Sequence, residues 1–389
     1  MQTSDPTHFF RTETDMARVD ARSRKAEYIK SLKDTITLPG KPISLQVVDG
    51  HVWTAESGAV ARKTSLETGK TLQLFKGHTG PVTCLQIVKT PKTQLLLTGS
   101  WDKTMRVWDI ASTKALSVTS MHSDFLKCLL VIPSLGLLIS GSSDKTAKIW
   151  DFEQTLENAE VSPNLLGIIS EHTRPVECLA YDSVAGELYT ADSMGRILVW
   201  RLEIAADRST CRAYNLKDVS GHRTGINDIL VSQEGLWTAS TDETVIFHPR
   251  DAERKTVVIK HKHPVKSILL IHVSGTDSRF LVTGSGEIIS TFEVTNLLSG
   301  NGDIDSLGVT DAHAHNITNV AHIESQVEYE TSDSISVLSA GLDGLVRKWK
   351  LADLITGVPD ASRDQTAQVD NVTFTEEEER ELAELLDAD

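Results

Sequence analysis

The stretch GHTGPVTCLQIVKTPKTQLLLTGSWDKTMRVWD, residues Gly77 to Asp109, decides the reading of this chain. LQIVKT is a short apolar run, and LLLTGS is a second that stops at a Gly-Ser turn. TMRVWDI alternates between faces, the period of a half-buried strand. Strands of about five residues, separated by turn residues at regular spacing, predict an all-β architecture. A unit of this length with an isolated Trp-Asp end raises the question of recurrence.

It recurs. Trp150 in LGLLISGSSDKTAKIWDF follows Trp108, and Trp200 in GELYTADSMGRILVW follows Trp150. Weaker copies lie at 235–251 and 279–294, and a clear one returns at 335–351. A histidine precedes each copy: His78, His122, His172, His222, His261 and His313. Four residues after each stands an apolar residue: Val82, Leu126, Val176, Ile226, Val265 or Ile317. A degenerate unit at 42–77 has the strand spacing but no such histidine, which makes seven units.

This pattern resembles the WD-repeat β-propeller family, with its Gly-His start and Trp-Asp end, over about 34–352. The resemblance implies a seven-bladed propeller with four strands per blade and short helical extensions at both ends. It also implies a polar tetrad in each intact blade, since buried polar groups must be paired. By position the tetrads are His78, Thr98, Asp102 and Trp108; His122, Ser140, Asp144 and Trp150; and His313, Ser339, Asp343 and Trp349. In the fourth unit Met194 stands where Asp belongs. That tetrad is therefore expected to be broken, and Asp192 to lie outside the register. The fifth unit has His248 in place of Trp, and the sixth is one residue short and ends in Phe292.

The last unit lacks an outer strand. TITLPGKPISL aligns with TLQLFKGHTGPVTCL, so a strand over 34–38 is expected to complete that blade, close the ring and remove its open edges. An eighth blade built from 16–33 or 303–310 is the alternative count. Residues 1–33 read as an N-terminal extension. Within them 14–33 is helical, with Ala26, Ile29 and Leu32 on one face among basic residues, and packs on the propeller. Residues 353–372 read as a polar linker. Residues 373–389 read as an acidic helix or tail, with Thr375 and Glu378 as a capping box and Leu382, Leu385 and Leu386 as its stripe.

Charge sharpens this division. The 389 residues carry a formal net charge of −15. Eleven acidic and two basic residues fall in 360–389, a balance of 2 − 11 = −9, which leaves −6 for the rest. The acidity argues against direct nucleic-acid binding. No apolar run is long enough for a transmembrane helix and the start has no secretory h-region, so no membrane association is expected. Four cysteines without a metal spacing or CxxC pair fit a reducing compartment, cytoplasmic, nuclear or both. Cys84, Cys128 and Cys178 occupy equivalent inner-strand positions and read as core packing.

No catalytic, metal or cofactor residues are assigned: GxSxG, P-loop, HExxH and dinucleotide fingerprints are all missing from the sequence. The pairs His261/His263 and His313/His315 have no Cys or carboxylate partner at metal-ligand spacing. Propellers serve as rigid platforms whose loops carry specificity. The tetrads place Trp101, Lys103, Lys145, Arg174, Arg196, Arg223 and Lys262 on loops at one end, together with Asp124 and Ser143. An outward Trp among cations is binding composition. The expected function is a noncatalytic scaffold within a multiprotein complex that recruits protein partners through the propeller loop face and the acidic tail, with an acidic or phosphorylated peptide as ligand of the face. A propeller hydrolase is the alternative from another class. A substrate receptor of a cullin-type ubiquitin ligase is a further one, disfavoured because the unit ends read WDIA, WDFE, WRLE and WKLA where such receptors often carry WDxR.

Overall fold

The computed structural model describes residues 13–30, 34–90, 93–219, 221–251, 253–273, 276, 278–298, 304, 306–323 and 334–357. They form seven four-stranded antiparallel sheets. Blades 1 to 6 each use four consecutive strands; blade 2, for example, consists of Val82–Lys89, Gln94–Ser100, Thr104–Asp109 and Ala115–Ser120. The first strand of each blade touches that of the next, and blade 7 touches blade 1, so seven first strands ring the axis. Each carries a bulge after its first residue, as between Val82 and Cys84. The bulge bends the strand while its apolar first residue stays buried between blades.

Burial is partial along the first strands and nearly complete along the second, because neighbouring sheets cover both faces of the latter. The core is therefore a series of seams between adjacent blades. Leu97, Met105 and Val107 of blade 2, for instance, pack with Leu126, Leu129 and Leu138 of blade 3.

Ring closure uses the strand Thr35–Thr37, one residue shorter at each end than the expected 34–38. It pairs antiparallel with Leu345–Lys350, with Ile36 opposite Val346. The segment 303–310 of the alternative eight-blade count overlaps Ser306–Asp311, which is the outer strand of blade 6. Among the described residues four α-helices accompany the sheets: α1 (Glu13–Lys30), α2 (Glu153–Glu157), α3 (Thr295–Leu298) and α4 (Leu351–Thr356). The last corrects the expected linker, whose first residues continue a helix. Leu351 and Leu354 are buried in the blade 6–7 seam, which gives those residues apolar contacts that a solvated linker lacks. The remaining linker positions, the acidic segment 373–389 and Leu32 lie outside the described residues.

Candidate functional site

The end of the propeller bearing the repeat histidines is built from the tetrads outward. In blade 2, His78 Nδ1 lies 2.8 Å from Asp102 Oδ2, and its Nε2 lies 2.8 Å from Thr98 Oγ1. Trp108 Nε1 donates to the same Thr98 hydroxyl at 2.8 Å. His122, Ser140, Asp144 and Trp150 repeat the arrangement in blade 3. His313, Ser339, Asp343 and Trp349 do so in blade 7. The aspartate also organises its own turn: Asp102 accepts the Thr79 and Thr104 amides. The residue after it takes a left-handed conformation, at φ 70° for Lys103 and 69° for Lys145. Gly195 and Gly344 adopt the same hand in blades 4 and 7.

Burial pushes the His78 and His122 imidazoles below their ordinary pKa and outweighs the pull of their aspartates. Burial opposes the charge on Asp144. The hydrogen bond from Thr146 and the charge and hydrogen bond of His122 nonetheless hold its carboxyl down at about 2. The ordinary state is thus a neutral imidazole against a carboxylate. Each tetrad locks two loops to a strand, and this sets which side chains the loops present.

Blade 4 corrects the expected break. His172 Nδ1 lies 3.0 Å from Asp192 Oδ2, His172 Nε2 lies 2.6 Å from Thr190 Oγ1, and Trp200 donates to Thr190 at 2.8 Å. Asp192 pairs with Val176 at the end of its strand, a position held by Ser100 in blade 2 and Ser142 in blade 3. Those serines receive the turn amides of Asp102 and Asp144. Asp192 receives the Met194 and Arg196 amides on one oxygen and reaches the imidazole with the other. One carboxylate thereby performs the work of the usual serine and aspartate, and Met194 is left outside, 56% exposed.

Blade 5 retains His222, Thr238 and Asp242. His248, in the tryptophan position, leaves a buried Nε2 without a partner. In blade 6 the two-residue turn Gly286-Glu287 presents no aspartate to His261, which bonds Thr283 at 2.9 Å while its Nδ1 has no partner. Burial lowers both His248 and His261 to about 4. Blade 1 lacks the repeat histidine but holds a buried ion pair that is not legible in the sequence. Glu56, again at the end of the second strand, accepts Arg62 Nε at 2.5 Å and Nη2 at 3.1 Å.

Of the loop residues singled out in the sequence, Trp101, Lys103, Lys145, Arg174, Arg223 and Lys262 are exposed at this end. Trp101 stacks on Phe125 of the neighbouring blade, with ring centroids 4.9 Å apart and planes 16° from parallel. Phe125 was missed. Its signal was an aromatic residue just before a strand, where blades 2, 4 and 6 have Pro81, Pro175 and Pro264. Lys103 Nζ donates to the Ser123 carbonyl at 2.7 Å and so ties the same two blades. Arg196 does not join this set: its Nε meets Asp218 at 2.7 Å and its Nη1 the Glu171 carbonyl at 3.0 Å. This pairing is not legible in the sequence, because Asp218 comes from the outer strand of the same blade, set opposite Leu198 by strand register.

Within the ring of first strands, Lys127, Glu177, Asn227 and Lys266 hold the second position in blades 3 to 6. Lys127 pairs with Glu177 at 3.3 Å, and Lys266 donates to Asn227 Oδ1 at 3.0 Å. All four cysteines are free; burial pushes the Cys84 thiol up to about 12, the behaviour of a packing residue. Among the described residues no group of three His, Cys, Asp or Glu is placed to hold a metal ion, and no helix is long and apolar enough to cross a membrane. A cavity lined by Ser232, Gln233, Glu234, Leu270, His272 and Arg279 lies at the opposite end of blades 5 and 6, away from the tetrad loops.

Comparison with known proteins agrees with this geometry. The WD domain, G-beta repeat, matches residues 69–109 and 113–151, and the IP5P C-F beta-propeller matches 166–350. The chain belongs to the WD-repeat β-propellers. An uncharacterized WD repeat-containing protein of Schizosaccharomyces pombe is 27% identical over 266 residues, 63% of this chain and 67% of that protein. The WD40 repeat protein poxJ of Penicillium oxalicum is 26% identical over 215 residues, which cover 50% of this chain and 56% of poxJ. A short match, 30% identical over 58 residues, links it to small ribosomal subunit protein RACK1y of Oryza sativa subsp. japonica, covering 15% of this chain and 17% of that protein. WD-repeat propellers generally act as interaction scaffolds and are typically noncatalytic.

Proposed function

We propose that this protein is a noncatalytic scaffold whose tetrad-bearing end holds an acidic or phosphorylated peptide of a protein partner. The observation that carries this reading is the exposed Trp101–Phe125 stack beside cationic loops. Trp101 is 40% and Phe125 39% exposed, so two large rings face solvent together. Lys103, Lys145, Arg174, Arg223 and Lys262 are exposed at the same end of a chain whose net charge is −15. Aromatic rings give an apolar anchor, and arginines grip carboxylates or phosphates through two parallel hydrogen bonds. Arg196 has no part in this set, being held by Asp218.

Membership of a multiprotein complex follows the same reading, supported by a relative named as a ribosomal subunit protein. The proposed compartment is cytoplasmic or nuclear, on the strength of four free cysteines. The test is affinity purification of partners followed by titration with the recovered partner. Arg174→Glu with Arg223→Glu is expected to abolish binding, and Trp101→Ala to weaken it by about tenfold or more. Undiminished binding by the double charge reversal defeats the assignment of this face.

A further inference from the structure

Blade 6, whose repeat histidine has no aspartate partner, supplies the charged half of the surface that α1 covers. Blade 6 joins its second and third strands through Gly286-Glu287 alone, with Ser285 paired to Ile288. Glu287 does not bond His261. It meets Arg22 of α1 at 3.2 Å and Lys25 at 2.8 Å. Lys25 also reaches Asp311, at the end of the outer strand, at 2.5 Å. Its side chain is only 16% exposed, so this pairing is shielded from solvent, whereas Arg22 is 44% exposed. The apolar part of the contact is small: Ile29 is buried with Ala314 and Leu345 of blade 7, and Ala26 packs against them. The described side chains at 19, 20, 22–24, 27, 28 and 30 remain exposed.

Two carboxylates thus meet two cations above a floor of two apolar residues, and the cations and the apolar contact come from one short helix. A hold of this kind is strong at low ionic strength and weakens as salt screens its exposed half. Helices in proteins draw most of their stability from packing, and α1 buries little beyond Ile29, so it depends on this docking. We infer that Glu287, Asp311, Ala314 and Leu345 form a docking site for a helix that presents an arginine and a lysine beside one isoleucine, which α1 occupies in cis. A partner protein's helix with the order Arg-x-x-Lys-x-x-x-Ile, that of Arg22, Lys25 and Ile29, exchanges with α1. This site adjoins the Lys262-bearing loop of blade 6, where the Pro264 carbonyl accepts the Gly286 amide, and takes a partner of charge opposite to the one proposed for the cationic loops.

The test uses the full chain and a fluorescent synthetic peptide of residues 13–30. In the parent the cis helix competes. In the Arg22→Ala/Lys25→Ala variant the site opens, and the peptide is expected to bind about tenfold more tightly at low salt. Adding Glu287→Gln and Asp311→Asn to that variant is expected to remove the gain. Equal affinity for parent and variant, no binding to the variant, or binding that ignores loss of the carboxylates overturns the inference. Hydrogen exchange on the parent is an independent arm. Raising NaCl from about 50 to about 500 mM, well past the Debye length of the exposed pairs, is expected to speed exchange in α1 and leave the blade strands unchanged. Unaltered exchange in α1 counts equally against the inference.

Discussion

Asp192 ends its strand opposite Val176, and that pairing explains why a residue two positions before the expected acid completes the tetrad of blade 4. Buried to 1% exposure, it carries the imidazole contact and two turn amides. Asp192→Ala is therefore expected to cost about as much as Asp144→Ala, roughly 1–3 kcal/mol for buried groups left unpaired. Met194→Ala is expected to leave urea denaturation nearly unmoved. Fixed sequence spacing identified the tetrads of blades 2, 3 and 7, where the acid follows the strand hydroxyl by four residues. It misread blade 4 because a side chain's reach depends on strand register, and two positions at one strand end can both approach the same imidazole. The opposite case is His248. Burial lowers its pKa from 6.5 to about 4, so acid protonates the unfolded chain first. Its stabilising share is complete above about pH 6.5 and is lost as pH falls toward 4. His248→Trp supplies an N–H for Thr238, as Trp108 does for Thr98. The variant is expected to gain about 1 kcal/mol at neutral pH and more at pH 5. Equal gains at both pH values, measured by urea denaturation, would show that titration of His248 plays no part.

At the scale of elements, a strand of three residues closes the ring. Thr35–Thr37 supplies the outer edge of blade 7, with the Leu38 amide on the Gly344 carbonyl and the Lys348 amide on the Asp34 carbonyl extending the ladder. Leu38 is buried with Leu338, Ala340 and Val346 of blade 7 and Leu45 and Val52 of blade 1, so the segment also fills the last seam. Deleting residues 1–40 is expected to expose the edge of Leu345–Lys350 and this apolar seam together, lowering the denaturation midpoint sharply and promoting self-association. A truncated chain that melts like the parent and stays monomeric by light scattering would contradict the role given to the strand. Closure was legible because TITLPGKPISL repeats the spacing of a blade's outer strand, turn and inner strand. The Glu56–Arg62 pair of blade 1 was not: acid and base lie on adjacent strands, and only the pairing of Thr54 with Arg62 brings them together. The helical start of the linker was hidden for a related reason. Leu351 and Leu354 look unremarkable in a polar stretch until the blade 6–7 seam receives them.

Across the whole molecule, charge is divided by region more than by sequence position. The loops at the tetrad end of blades 2 to 6 expose lysines and arginines, the equivalent loops of blades 6 and 7 present Glu287 and Asp311 to α1, and residues 360–389 carry a balance of 2 − 11 = −9. The described chain ends at Gly357 beside Val309 on the outer strand of blade 6, midway between the two ends of the propeller. From there to the acidic run at Glu376 is a stretch of fewer than twenty residues. A stretch of that many residues can span at most roughly 60 Å, so chain length alone does not keep the acids from the tetrad-bearing loops. Opposite charges tethered within that reach have a high effective concentration, so the acidic segment is expected to compete with an acidic peptide for the proposed cationic face. Removal of 360–389 is accordingly expected to strengthen binding of an acidic partner by about tenfold at low salt, with the difference shrinking as salt screens both. Arg174→Glu with Arg223→Glu is expected to abolish binding with or without the segment. Titration of the parent, the truncated chain and the charge-reversed chain separates the outcomes. Unchanged affinity after truncation rejects the competition and leaves the binding face standing, whereas charge-reversed chains that still bind reject the face itself.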